Sequence, residues 1–184
     1  MGTTFKKLNH RFDDAEQALV HQLHFVLFQY KAHSNQEMLN AAQAACNDVS
    51  ADEMHALVRI LNHTYVVDQI FSAHLRGEPH FYENTNTLET PSLVQLQQQI
   101  SASDAWLLTY VDSLDEAQLQ QSVRFQFTDG DTACMTRAEI LHHVLLHGTY
   151  HRGAAGRILF NHSVAPPREG FARVLHELEP QRRF

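Results

Sequence analysis

Fourteen of the 184 residues are histidine, and imidazole is the commonest metal ligand that proteins offer. None lies in a tag-like run, so each is read by its position. Residues of a helix follow one another at 100°, which puts His147 and His151 about 40° apart on one stripe with Ile140, Val144, Ala154 and Ile158. The pattern predicts that both face inward. Two imidazoles one turn apart can reach a single cation, yet in a chain with fourteen histidines some pairs at this spacing arise by chance. Spacing alone therefore divides evenly between a ligand pair and ordinary core or surface histidines. Burial tips the balance towards ligands. A buried imidazole needs a hydrogen-bond partner or a metal, and two adjacent ones repel each other if both are protonated. His63 shares a stripe with Ile60, Val67 and Ile70 and could complete the set from a neighbouring helix. Three histidines would leave an open coordination position for water.

His143 is the rival ligand, one turn before His147 and about 80° from His151. It is read as a supporting or core residue, because one straight helix rarely brings three successive turns onto one small ion. His142 points away from the pair. His74 lies on the same side as His63 but three turns along, and is expected to be packed or partly exposed. His10, His21, His24, His33, His80, His162 and His176 have no evident partners and are read as solvated or structural.

Other chemistries lack their residues. No Gly-x-Gly-x-x-Gly, Walker loop or Gly-x-Ser-x-Gly elbow occurs. The two Glu-x-x-His motifs of a di-iron bundle are not both present: His176-Glu177 is reversed, and Glu139, three before His142 and four before His143, reads as a helix cap.

Helices must position these side chains, and four long segments carry helical patterning. The first runs from about Asp13 to Cys46, with Leu19, Leu23, Val26, Leu27 and Tyr30 at helical spacing and a bend expected near His33-Ser34-Asn35. The second opens at Ser50 with Glu53 three residues on, and closes at Gly77 after Arg76. Residues 78–90 have no period and read as a crossover loop. The third is expected to start at Thr90-Pro91 and to continue through Leu93, Leu96, Ile100, Leu107 and Val111. One more turn could begin at Ser113-Leu-Asp-Glu116. Alternation of Val123, Phe125 and Phe127, with Asp129-Gly130 as turn, predicts a small hairpin. The fourth long helix opens at the capping box Thr136-Arg-Ala-Glu139 and reaches about Phe160. Pro166-Pro167 block its continuation, and residues 170–180 are read as a short terminal helix. The fold class is all-α, a four-helix bundle with a long crossover, in which metal sites are built from inward-facing side chains.

Composition narrows the setting. A chain of this length fits one domain, here a bundle core over about 13–162 and a tail over 163–184, and it can bury a core without disulfides. The net charge of −7 repels nucleic acid. Arg168, Arg173, Arg182 and Arg183 alternate with glutamates and read as a solvated tail. Cys46 and Cys134 form no Cys-x-x-Cys pair, and no signal-like or membrane-spanning stretch is evident, so a cytoplasmic chain is expected, with no membrane partner.

The motifs His63-Thr-Tyr-Val-Val-Asp68 and His143-Val-Leu-Leu-His147-Gly-Thr-Tyr-His151-Arg152-Gly153 resemble those of the DinB/YfiT-like family, and Leu27-Phe-Gln-Tyr30 with Asn35 and Leu39 resembles its first helix. The likeness covers most of residues 20–160 in order. It implies a four-helix bundle, often a homodimer, with a divalent metal such as zinc or nickel on three histidines, which here are His63, His147 and His151. The family commonly has glutamine after the position of Gly153, where this chain has Ala154. Better understood relatives are thiol-dependent transferases and isomerases that use low-molecular-weight thiols. The resemblance thus implies a transferase or hydrolase acting on a small-molecule substrate, and the alternative is a non-enzymatic, stress-associated bundle with a structural metal. Asp68 and His143 are candidates for acid/base or supporting roles, with a surface ion pair as the plain alternative for Asp68. Tyr65 and Tyr150 could be site hydroxyls but are read first as packed residues, and Arg152 as a structural contact.

Overall fold

The structure, a computed structural model, describes residues 14–182; His10 and Arg183 lie outside them. Four long helices, α1 (Asp14–Ala44), α2 (Ala51–Arg76), α3 (Leu93–Asp112) and α5 (Arg137–Asn161), form the expected all-α bundle. A single turn, α4 (Glu116–Leu119), and a hairpin of β1 (Ser122–Gln126) and β2 (Thr132–Thr136) intervene before α5, while α6 (Phe171–Leu178) and a 3-10 turn at Pro180–Arg182 follow it.

The capping chemistry sets most of these ends. The Ser50 hydroxyl accepts from Glu53 N, and Gly77, at φ 70°, closes α2 in the left-handed conformation that glycine adopts without a Cβ penalty. Thr136 and Glu139 form the predicted reciprocal box at the start of α5. The start of α3 differs from expectation. Ser92 caps it in a box with Gln95, so Pro91 stands just outside the helix instead of in its first turn. Asp115, with Gln118, likewise caps α4 in place of Ser113. α1 runs as one continuous helix through His33-Ser34-Asn35, where a bend is expected. Asn35 sends its amide sideways to Asp104 and Arg152 and does not compete for its own backbone.

Cross-helix contacts give the directions. Lys31 meets Asp104 and His21 meets Asp112, so α1 and α3 are antiparallel. His63 meets His147 while Leu75 meets Arg137, so α2 and α5 are antiparallel too. Gln69 meets Ser103 and Leu75 meets Tyr110, which makes α2 and α3 parallel neighbours. A connection between parallel neighbours must return the length of a helix, and that is why the crossover is long. Residues 85–90 run back along α2, past His63, Asn62 and His55.

The core falls into two halves. One gathers Phe28, Phe71, Leu107, Val111, Val144 and the hairpin's Phe125. The other gathers Leu39, Leu57, Leu61, Leu96, Ala155 and Leu159. Between them lies a polar layer of Lys31, Asn35, Thr64, Asp68, Asp104 and Arg152, all buried.

The arginine-bearing C-terminal segment is not a solvated tail. Val174 is fully buried, Phe171 packs edge-on against Tyr30, and Arg173 pairs with Glu37 of α1 and with Glu177. Alternating charges looked solvated in sequence, but the strongly one-sided apolar pattern of Phe171, Val174 and Leu175 gives α6 a face to bury. No helix among the described residues is long and apolar enough to cross a membrane.

Candidate metal centre

His63, His147 and His151 come together across the α2–α5 seam, with one nitrogen of each within 4.8 Å of the others. The His63 and His147 Nε2 atoms are 3.0 Å apart. Two nitrogens at zinc-ligand distance from one tetrahedral ion would stand about 3.3 Å apart, so the rings need almost no rearrangement to share a cation. The His151 ring centroid lies 4.6 Å from that of His63 and 4.4 Å from that of His147.

The local sequence explains the approach. The buried line of α5 runs through Ile140, Val144, Gly148, Arg152, Ala155 and Leu159, rotated from the stripe expected through Ala154 and Ile158; Ala154 is exposed. Gly148 lies on this line and faces α2 and α1: a Cβ there would stand 3.8 Å from Thr64 Cγ2 and 3.9 Å from Lys31 Cε, ordinary contact distances, and 3.2 Å from Arg152 Nη1 of its own helix. His147 and His151 consequently sit at the rim of the seam, half-buried, and so does His63. A rim position keeps solvent within reach of the cluster.

The crossover fixes the tautomer of His63. Its Nδ1 is 2.6 Å from the Thr85 carbonyl, which can only accept, so Nδ1 carries the proton and Nε2 presents its lone pair to the cluster. The loop is in turn tied to α2: Asn86 donates to the Arg59 carbonyl and accepts from Asn62, and Arg59 donates to the Thr87 carbonyl at 2.6 Å. Replacing Asn86 with alanine should therefore loosen Thr85 and weaken metal binding by about 10–100-fold, the usual cost of losing a partner that orients a ligand. A competition titration against a chromogenic chelator reads this directly, and unchanged affinity would show that the loop tie is irrelevant to the site.

Burial pushes the His147 pKa down to about 3, helped by the neighbouring charges of His151, His63, His143 and Lys31. His151 shifts the same way through burial and His63. Both shifts favour the neutral imidazole, the form that binds metal. His74, away from the cluster, is pushed down to about 4 by burial and by His80. Each of these folded-state values lies below the ordinary 6.5, so the unfolded chain takes up protons first as pH falls. Asp68, raised to about 6 by burial, acts oppositely between about pH 6 and 4, because its folded form binds the proton first. Three histidines outweigh one carboxyl. Metal-free protein should accordingly melt at a lower temperature at pH 5 than at pH 7; a Tm that rose on acidification would reverse this balance.

The remaining sequence candidates are placed as follows. His143 stacks on His147 at 5.5 Å between centroids and lies 4.8 Å from the Phe71 ring, outside the three-nitrogen cluster. Asp68 does not pair with a surface base. It is buried and accepts from Lys31 Nζ at 2.7 Å, while Asp104 takes the same ammonium at 2.6 Å and accepts from Asn35 at 2.9 Å. Tyr65 is half-buried beside Tyr82 and its pKa is pushed up to about 12 by burial. Tyr150 is exposed, its ring edge against His151. Arg152 is wholly buried and makes the structural contact expected of it, donating to Asn35 Oδ1 at 2.9 Å and to Glu169, which also accepts from the Tyr30 hydroxyl.

Sequence reasoning missed Lys31, Asp104, Glu169 and the Thr85 carbonyl. The first two did leave a signal, a charge on an apolar stripe: Lys31 one turn after Leu27, and Asp104 between Ile100 and Leu107. Glu169 and Thr85 lie in irregular segments that carry no such phase.

No curated protein and no solved structure matches the chain. The model of the DinB family matches residues 13–168, which include all three clustered histidines and nearly all of the bundle. The match spans most of the chain and agrees with its helical bundle, so this chain belongs to the DinB family.

Proposed function

We propose that the protein is a metal-dependent transferase or hydrolase acting on a small molecule, with His63, His147 and His151 holding one divalent cation, zinc or nickel. The observation that carries this reading is the donor set: three converging imidazoles at a half-buried rim, with no fourth protein ligand in the cluster among the described residues. Structural zinc sites usually close with four protein ligands, whereas catalytic ones use three and leave a position open. A cation held there lowers the pKa of the water or thiol that it binds. Transfer of a low-molecular-weight thiol and hydrolysis differ only in which nucleophile enters the open position.

The chain's own contribution is orientation and proton control. Thr85 holds His63 in the metal-binding tautomer, and the exposed imidazole of His143, beside His147, is placed to exchange protons with solvent at the edge of the site. A structural zinc site would usually close with a fourth protein ligand, and among the described residues none joins the cluster. Leu146 and Tyr150, 72% and 74% exposed and one turn apart on α5, supply an apolar face for a second copy, in keeping with a homodimer. The two free cysteines fit a reducing compartment such as the cytoplasm.

The test is metal analysis of purified protein followed by a screen of thiol transfer and hydrolysis on electrophilic substrates with zinc- and nickel-loaded protein. Turnover that disappears on chelation and returns with metal supports the proposal. Full metal occupancy without turnover across both reaction classes would favour the structural alternative.

A further inference from the structure

A second set of imidazoles lies at the far end of the same seam. His74 is in the last turn of α2, and the left-handed Gly77 turns the chain so that His80 folds back upon it, ring centroids 5.1 Å apart and planes at 70°. The hairpin covers the pair: Phe125 stacks on His74 at 4.7 Å. His74 Nε2 and His80 Nδ1 are both shielded from solvent, and neither has a hydrogen-bond partner. An unpaired buried polar atom is costly, and here two occur on adjoining rings. Among the described residues no carboxylate pairs with either ring, and one cation accepting a lone pair from each would satisfy them together.

We propose that His74 and His80 form a second metal site, which takes a first-row cation with imidazole preference, such as Zn2+ or Cu2+, and completes its sphere with water. This site is separate from the three-histidine cluster. His74 is 11 residues beyond His63, about 16 Å along the helix, and the Phe71 ring stands between His74 and His143. Two protein ligands bind more weakly than three, so the site should fill after the cluster.

Calorimetric titration of chelator-stripped, full-length protein with Zn2+ alone, and separately with Cu2+ alone, tests the inference. Wild type should take up two equivalents, the weaker of which is lost in His74→Ala and in His80→Asn. The second variant lies in the crossover, outside the helices, and guards against misfolding of the first. His147→Ala should lose the tighter equivalent and keep the weaker one, so failure of the proposed catalytic site and failure of this one are told apart. A single equivalent in wild type, or a weaker equivalent that persists in both His74→Ala and His80→Asn, overturns the proposal.

Discussion

His147→Ala should purify with essentially no metal at the three-histidine cluster and without any metal-dependent turnover, while its helical content stays that of the wild type. The central ring of the cluster is removed: His147 lies 3.0 Å from His63 through their Nε2 atoms and within 4.4 Å, centroid to centroid, of His151. What remains is a pair of imidazoles from different helices with no third donor, because His143 is displaced one turn towards Phe71. Losing one of three ligands should weaken binding well beyond the 10–100-fold typical of an orienting partner. The fold should survive, because His147 is at the rim and both halves of the core are built without it. Removing one imidazole also relieves charge coupling within the cluster, so metal-free His147→Ala should lose less stability than wild type between pH 6.5 and 4. The measurements are metal content by mass spectrometry, circular dichroism, and melting of the metal-free proteins at the two pH values. Full occupancy of the cluster in His147→Ala, or in both His63→Ala and His151→Ala, would refute the ligand assignment.

Both the bundle and the three histidines were legible in the sequence, for different reasons. The helices announce themselves because capping is local: Ser50, Gly77 and the Thr136–Glu139 box act on backbone within a few residues and need no tertiary partner. Where two capping residues compete, as at Thr90 and Ser92, the winner is decided by the side chain three positions on, here Gln95, and the end shifts by two residues. The ligand set came from helical phase together with family resemblance. Phase alone misjudged its depth. It placed His147 and His151 inward, whereas the buried line of α5 runs through Val144, Gly148 and Arg152 and leaves the two histidines at the rim. That rotation depends on packing between helices distant in sequence, which a single periodic stripe does not encode. The polar layer is hidden for the same reason: Lys31, Asp68, Asp104 and Arg152 belong to four different helices, and only their assembly shows that each charge has its partner.

That layer makes Lys31 a sensitive charged position. Its ammonium, 1% exposed, answers two carboxylates that are themselves buried, and the pair of acids holds its pKa up despite the desolvation. Lys31→Met keeps the length and apolar stem of the side chain but leaves Asp68 and Asp104 facing each other with no cation between them. Removing one partner of a buried ion pair typically costs about 3–5 kcal/mol, a large part of the stability of a single domain. The loss should be greatest at pH 7 and above, where both carboxyls would have to be charged, and should shrink as pH falls and one of them takes a proton. Neutralising the acids as well separates charge from packing. In Lys31→Met/Asp68→Asn/Asp104→Asn no uncompensated charge is left, and most of the lost stability should return, because a buried ion pair is often replaceable by neutral groups at little cost. Denaturant unfolding of metal-free wild type, the single variant and the triple variant at pH 7 measures the whole cycle. If the single variant were as stable as wild type, the layer would be too well solvated for its charges to matter. If the triple variant were no better than the single one, the cost would lie in lost packing around the Lys31 stem beneath Gly148, and the charge account of the layer would fall.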